Sequence, residues 1–154
     1  MRNLEEIEAI KRLKYKYLRC LDLKLWTEME SCFTADATAA YGDGQYSFST
    51  RTQIIQFLSG ALGPGRITSH RAQQPEIDLT SATTATGVWA LDDTVIDVES
   101  RGLIRGAAFY RDEYVKLDGQ WKIKSTGYQR LFEERLSRAD TPSWRLTANR
   151  WARQ

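Results

Sequence analysis

With one histidine, two cysteines and three prolines in 154 residues, the chain lacks the side chains that several protein classes require. A single imidazole, His70, excludes any site assembled from several histidines. Cys20 and Cys32 have neither metal-ligand nor redox spacing, and two thiols do not make a disulfide framework. No repeat and no low-complexity run occurs, and three prolines with ten glycines are far from a fibrous or disordered composition. Charge of one sign is also missing: 22 Lys plus Arg stand against 20 Asp plus Glu, a net +2. That balance makes no basic face for nucleic acid or an anionic membrane, and a small or neutral partner is expected instead. The N-terminal run MRNLEEIEAIKRLKYKYL is charged throughout and has no apolar signal-peptide segment. No stretch approaches the roughly 20 apolar residues that span a bilayer. The chain is therefore expected to be soluble and cytoplasmic.

What remains is ample core-forming material, 42% hydrophobic, enough for one domain. Leu4, Ile7, Ile10, Leu13, Tyr17 and Leu21 recur at steps of three and four and predict an amphipathic helix over 4–21, with Asn3 and Glu6 as a capping-box start. A short helix is expected over Leu25 to Cys32, with Trp26, Met29 and Phe33 as its apolar side. Gly42-Asp43-Gly44 reads as a turn joining short strands at 39–41 and 46–48. A third helix over about Thr52 to Leu62 is ended by Gly63-Pro64-Gly65. Strands follow: Ile67–Ala72 and Glu76–Thr80, split by Pro75, then Thr83–Ile96, Leu103–Leu117 and Gln120–Phe132, with an Asp118-Gly119 hairpin turn before the last. Helices first and a mostly antiparallel, strongly curved sheet afterwards give an α+β fold, with a ligand pocket between them. Residues 1–135 read as the domain and 136–154 as a tail carrying Trp144 and Trp151. That tail either packs on a neighbouring surface or serves as a flap or an intersubunit arm.

Several polar residues fall where the pattern expects apolar ones. Tyr17 lies on the buried stripe, and Asp22 closes the helix at the end where the dipole favours cations, so it is either solvated or compensated by a partner. Asp93 shares a strand face with Trp89 and Leu91; it is either a buried carboxyl that stays protonated or, with Asp92, the mark of a bulge or strand end. Tyr128 and Arg130 share a face, with Arg130 a structural partner for a carboxylate or an anion anchor. His70 is either a satisfied core or surface residue or the one group able to exchange protons near neutrality without special tuning. No metal-ligand spacing, phosphate loop or nucleophile elbow is present, and no cofactor is expected.

The run Ile10-Lys11-Arg12-Leu13-Lys14-Tyr15-Lys16-Tyr17-Leu18-Arg19-Cys20-Leu21-Asp22, followed by the Trp26 segment, resembles the first helix of SnoaL-like proteins of the cone-shaped nuclear transport factor superfamily. The likeness continues through Tyr41-Gly42-Asp43-Gly44, Ser69-His70, Gln74-Pro75-Glu76-Ile77, 84–93, 106–110, Glu113-Tyr114, 118–123 and 126–130. Within that family it is most similar to bacterial bile acid 7α-dehydratase, and it also resembles scytalone dehydratase and lindane dehydrochlorinase. The resemblance implies a cone-like barrel with a deep apolar pocket and an Asp-His dyad at Asp22 and His70. It also implies a helix tyrosine at Tyr17, a strand carboxylate at Asp93, and substrate contacts at Tyr41, Trp89, Tyr128 and Arg130. The activity it implies is cofactor-independent loss of water from a hydroxylated 3-oxo steroid or bile acid derivative, free or as a thioester, in a homotrimer. Isomerase, polyketide cyclase and dehydrohalogenase chemistries, and non-catalytic binding of a hydrophobic ligand, are the alternatives. After His70 the run Arg71-Ala72-Gln73-Gln74 departs from the dehydratase pattern, which leaves the substrate more open than the chemistry.

Overall fold

A computed structural model describes residues 2–152. Its elements run α1 (Arg2–Leu23), α2 (Trp26–Glu30), β1 (Phe33–Tyr41), β2 (Tyr46–Phe48), α3 (Arg51–Ala61), β3 (Arg66–Leu79), β4 (Thr84–Asp97), β5 (Gly102–Leu117) and β6 (Gln120–Ser137). The strands form one curved sheet in the order β2-β1-β6-β5-β4-β3, antiparallel except where β1 runs parallel to β6. The sheet is not closed into a barrel. β2 and β3 are its edges, and α1 against β3 with α3 against β1 complete the enclosure.

Period-two alternation builds the inner wall most clearly on β5, where Gly106, Ala108, Tyr110, Asp112 and Tyr114 are buried while Phe109, Arg111 and Glu113 are exposed. Ile10, Tyr17 and Leu21 bury the stripe of α1, as their spacing predicts, but Leu4 is exposed and Lys14 is fully buried. Asn3 lies within α1 and is no cap; Glu6 instead accepts from Lys116 Nζ at 2.7 Å and Trp121 Nε1 at 2.5 Å. α3 starts on a variant of the capping box: the N-cap Thr50 Oγ1 accepts from the Gln53 N–H, and Gln53 Oε1 accepts from the N–H of Ser49, one residue before the cap. The Asp118-Gly119 hairpin turn has positive φ at both residues, as a tight turn matched to strand twist requires. Cys20 and Cys32 are buried free thiols, and burial pushes Cys32 up to about 11.

Three expectations change. The short helix ends at Glu30, and Phe33 opens a nine-residue β1 in place of the short strand expected at 39–41; Ala37 and Ala39 point inward, and such small side chains make the alternation faint. Pro75 does not split its segment. β3 is continuous through a bulge between Gln73 and Glu76, which an edge strand tolerates because proline has no N–H to give. β6 reaches Ser137, and Arg138 is buried with its N–H on Arg101 O, so the ordered sheet runs past the expected strand end at Phe132. Beyond it, residues 138–152 carry turns but no helix or strand; Trp144 is exposed, and Trp151 packs against the Lys24 ammonium at 5.2 Å. Arg153 and Gln154 of the tail lie outside the described residues. Among the described residues no helix is long and apolar enough to cross a membrane.

Candidate active site

Asp22 sits in the last turn of α1, one residue from its end. Lys24 follows with a positive φ of 58°, and the Leu25 N–H closes on Cys20 O, so the chain turns sharply and leaves the Asp22 carboxylate against β3. There it accepts three hydrogen bonds: from Thr68 Oγ1 at 2.9 Å, from the His70 backbone N–H at 2.8 Å and from His70 Nδ1 at 2.7 Å. These donors answer the helix-end problem posed by the sequence. The arrangement also sets the imidazole. A carboxylate cannot donate, so Nδ1 carries the proton in this bond and Nε2 is the nitrogen left to accept one. His70 lines an interior cavity of about 630 Å³, within the usual range for small-molecule sites. Asp22 does not line that cavity; it faces a groove on the outer side, where Trp151 of the tail also lies.

Rows of cross-strand partners carry the site along the inner wall. His70, Asp93, Gly106 and Glu133 are successive register partners on β3, β4, β5 and β6. Arg130 starts two register pairs away, opposite Ala108, and its guanidinium passes over Gly106 to pair with both oxygens of Asp93. A Cβ at Gly106 would stand 2.8 Å from Arg130 Nη1 and 2.5 Å from Phe132 O, so the pairing depends on glycine at this position. Asp93 is neither in a bulge nor at a strand end, and it is buried on the inner face as its phase predicts. It is not a lone buried carboxyl, however: the Arg130 guanidinium grips both its oxygens in the fork geometry of an ion pair. Glu133 continues the chain of charge toward the mouth, contacting Arg130 at 3.5 Å and Arg135 at 3.2 Å.

Tyrosines make the rest of the polar lining. Tyr17 and Tyr41 meet hydroxyl to hydroxyl at 3.2 Å, and Tyr110 and Tyr128 stand beside them in edge and tilted contacts. Burial raises Tyr17, Tyr41 and Tyr110 well above the ordinary phenol value and raises Tyr128 as well. They are neutral hydroxyls near neutrality, able to donate to a developing anion. Phe57, Leu58 and Leu62 at α3 and Leu21 on α1 supply the apolar wall.

The structure thus brings Tyr17, Tyr41, His70, Asp93, Tyr128 and Arg130 to one cavity, with Asp22 behind His70. Trp89 is not part of it. Its side chain is fully buried in the core, donating Nε1–H to Tyr114 at 3.0 Å, so the substrate contact expected there is replaced by a structural one. Tyr110 and Gly106 belong to the site with no sequence signal beyond the inner phase of β5. Among the described residues no group of three or more His, Cys, Asp or Glu is placed to hold a metal.

A half-open α+β chamber with a carboxylate-held imidazole in its wall and neutral phenols around it defines a class of small-ligand domains. The chain belongs to the SnoaL-like domain family, which matches residues 2–127. Among solved structures it is similar to a candidate scytalone dehydratase from Novosphingobium aromaticivorans DSM 12444, with 25% identity, a TM-score of 0.79 and coverage of 96% of this chain and 93% of that one. It is also similar in fold to two hexachlorocyclohexane dehydrochlorinases. The type 2 enzyme has 22% identity, a TM-score of 0.80 and coverage of 88% and 91%. The type 3 enzyme from Novosphingobium barchaimii LL02 has 21% identity, a TM-score of 0.78 and coverage of 87% and 92%.

Proposed function

We propose that the protein is a cofactor-independent lyase that eliminates water from a hydroxylated, conjugated ketone, with His70 as the general base. The observation that carries the reading is the Asp22–His70 bond at 2.7 Å in the wall of the interior cavity. Asp22 holds the ring in one tautomer and stabilises the imidazolium that forms when Nε2 takes a proton. A ketone conjugated to the C–H bond acidifies it, and the electron pair left behind is delocalised onto the ketone oxygen as a dienolate. Tyr17, with Tyr41 hydrogen-bonded to it, supplies the neutral donor for that oxygen; one preorganised donor of this kind can be worth about 3 kcal/mol. Collapse of the dienolate expels the hydroxyl, which leaves as water with the proton returned from His70. Arg130, fixed by Asp93, and Tyr128 orient the leaving side.

The finer substrate assignment, a 3-oxo steroid or bile acid derivative, belongs to this proposal. It rests on the likeness to bile acid 7α-dehydratase, on the cavity volume and on the apolar wall from α3. The homotrimer belongs to it as well. Loss of hydrogen halide is the second reading, favoured by the similarity to the two dehydrochlorinases, since it begins with the same proton abstraction. Mass analysis of products separates them. Incubation with a 7α-hydroxy-3-oxo-4-ene steroid is expected to give a product lighter by one water. An unchanged mass with a shifted double bond would make the protein an isomerase. No change with any ketone or halide would leave a ligand-binding domain and remove the reading.

A further inference from the structure

Beneath the tyrosine-lined cavity lies a second polar cluster. Lys14 and Asp112 side chains are fully buried, with Nζ 2.7 Å from Oδ2. Asp112 also accepts from Tyr114 Oη at 2.6 Å and from Thr126 Oγ1 at 2.6 Å. Tyr114 Oη also accepts from Trp89 Nε1, so the cluster is tied into the core. One amine and two hydroxyls gathered on two carboxyl oxygens make the geometry of a buried ion pair. Burial opposes the ammonium charge and lowers the Lys14 value, while Asp112 supports it. The ammonium does not reach the cavity. It rests 3.4 Å from the centroid of the Tyr110 ring and 5.0 Å from that of Tyr17, and both tyrosines line the cavity.

An ion pair of this kind is a poor device for stability, since apolar or neutral replacements of equal shape are often as stable or more so. Its position offers another use. Lys14 is one helical turn before Tyr17, and Asp112 is the next inward residue after Tyr110 on β5, so both charges are tied to the backbone that carries the pocket phenols. A cation on the back of a phenol ring draws electron density from it and strengthens the hydroxyl as a donor.

We propose that Lys14 is a positioning residue that acts through the rings of Tyr110 and Tyr17, making the pocket selective for an oxyanion over its neutral acid. The inference rests on the lyase reading for its catalytic meaning, but it can be tested without turnover. The probe is 4-nitrophenol, whose neutral and anionic forms absorb differently, titrated into the protein above and below its ionisation. The variant is Lys14→Met with Asp112→Asn, which keeps the shape and leaves an amide to bond Tyr114 and Thr126 while removing both charges and the bond between them. The wild type is expected to favour phenolate over phenol, and the double variant to lose that preference by about tenfold while melting at or above the wild-type temperature. A structural role alone would weaken both forms equally. Equal preference in the two proteins, failure of the wild type to favour phenolate, or no binding of either form would overturn the proposal. If the double variant does not fold, Lys14→Gln, which retains a donor for Asp112, is expected to lower the preference by at least as much, and an unchanged preference would overturn it. A wild type that favours phenolate but transforms no ketone or halide would remove the lyase reading and leave this one standing.

Discussion

At the scale of single residues, the candidate site depends on where small and charged side chains sit. Asp22 and His70 were legible in the sequence as misplaced polar residues, and their likeness to a family dyad joined them. Their bond was not legible, because it needs the positive-φ turn at Lys24 and the edge strand to meet. Gly106 had no sequence signal beyond its phase on β5, yet it makes room for Arg130. Gly106→Ala is therefore expected to cost about 1–3 kcal/mol, since the backbone oxygen of Phe132 cannot move cheaply and the Asp93–Arg130 pair is pushed apart. Chemical denaturation checks it; a variant as stable as the wild type would show that the strands shift without cost. Trp89 shows the opposite error. The resemblance implies a ligand contact there, whereas its N–H donates to Tyr114 inside the core.

At the scale of elements, most strand and helix positions follow from periodicity; the faint alternation of β1 comes from its alanines, and a second cause of misses is the bulge. Bulges change the phase of a strand, and a fixed period-two reading carries the wrong face past them. On β6, Tyr128 and Arg130 share their sequence phase with Lys122 and Lys124. The register shift opposite Glu113 and Tyr114 inserts Lys124 and separates them. Thr126, Tyr128 and Arg130 then face the cavity side, while Lys122 and Lys124 reach Ser31 O and Asp36 at 2.5 Å. Lys124 is the extra residue of that bulge, so deleting it joins Ile123 to Ser125 opposite Tyr114 and Glu113 and is expected to leave Tyr128 and Arg130 facing inward. An unchanged near-ultraviolet circular dichroism spectrum would record it, and its loss with strand content retained would place the phase change elsewhere.

At the scale of the whole molecule, the enclosed phenols and the buried pair tie stability to pH. Tyr17, Tyr41, Tyr110 and Tyr114 are held well above their ordinary value by burial, so above about pH 10 the native state keeps protons that the unfolded chain releases. Their contribution is intact below pH 10 and is lost as pH rises beyond it. Lys14, lowered by burial, acts in the opposite sense: its contribution rises with pH up to the ordinary lysine range near 10.4 and is then complete. Four tyrosines outweigh one lysine above pH 10. Alkaline titration is expected to show tyrosinate absorbance of the buried rings rising together with loss of secondary structure, and ionisation of all seven tyrosines with the fold intact would contradict it.

The central claim is that His70, oriented by Asp22, removes a proton from a ligand in the tyrosine-lined cavity. Single-turnover loss of water from a 7α-hydroxy-3-oxo-4-ene steroid, compared between wild type, His70→Gln and Asp22→Asn, addresses it directly. The expected result is a rate roughly 10²–10⁴-fold lower in His70→Gln and a marked loss in Asp22→Asn, with both variants folded. Wild-type rates in both variants, or no loss of water by the wild type, would contradict the claim.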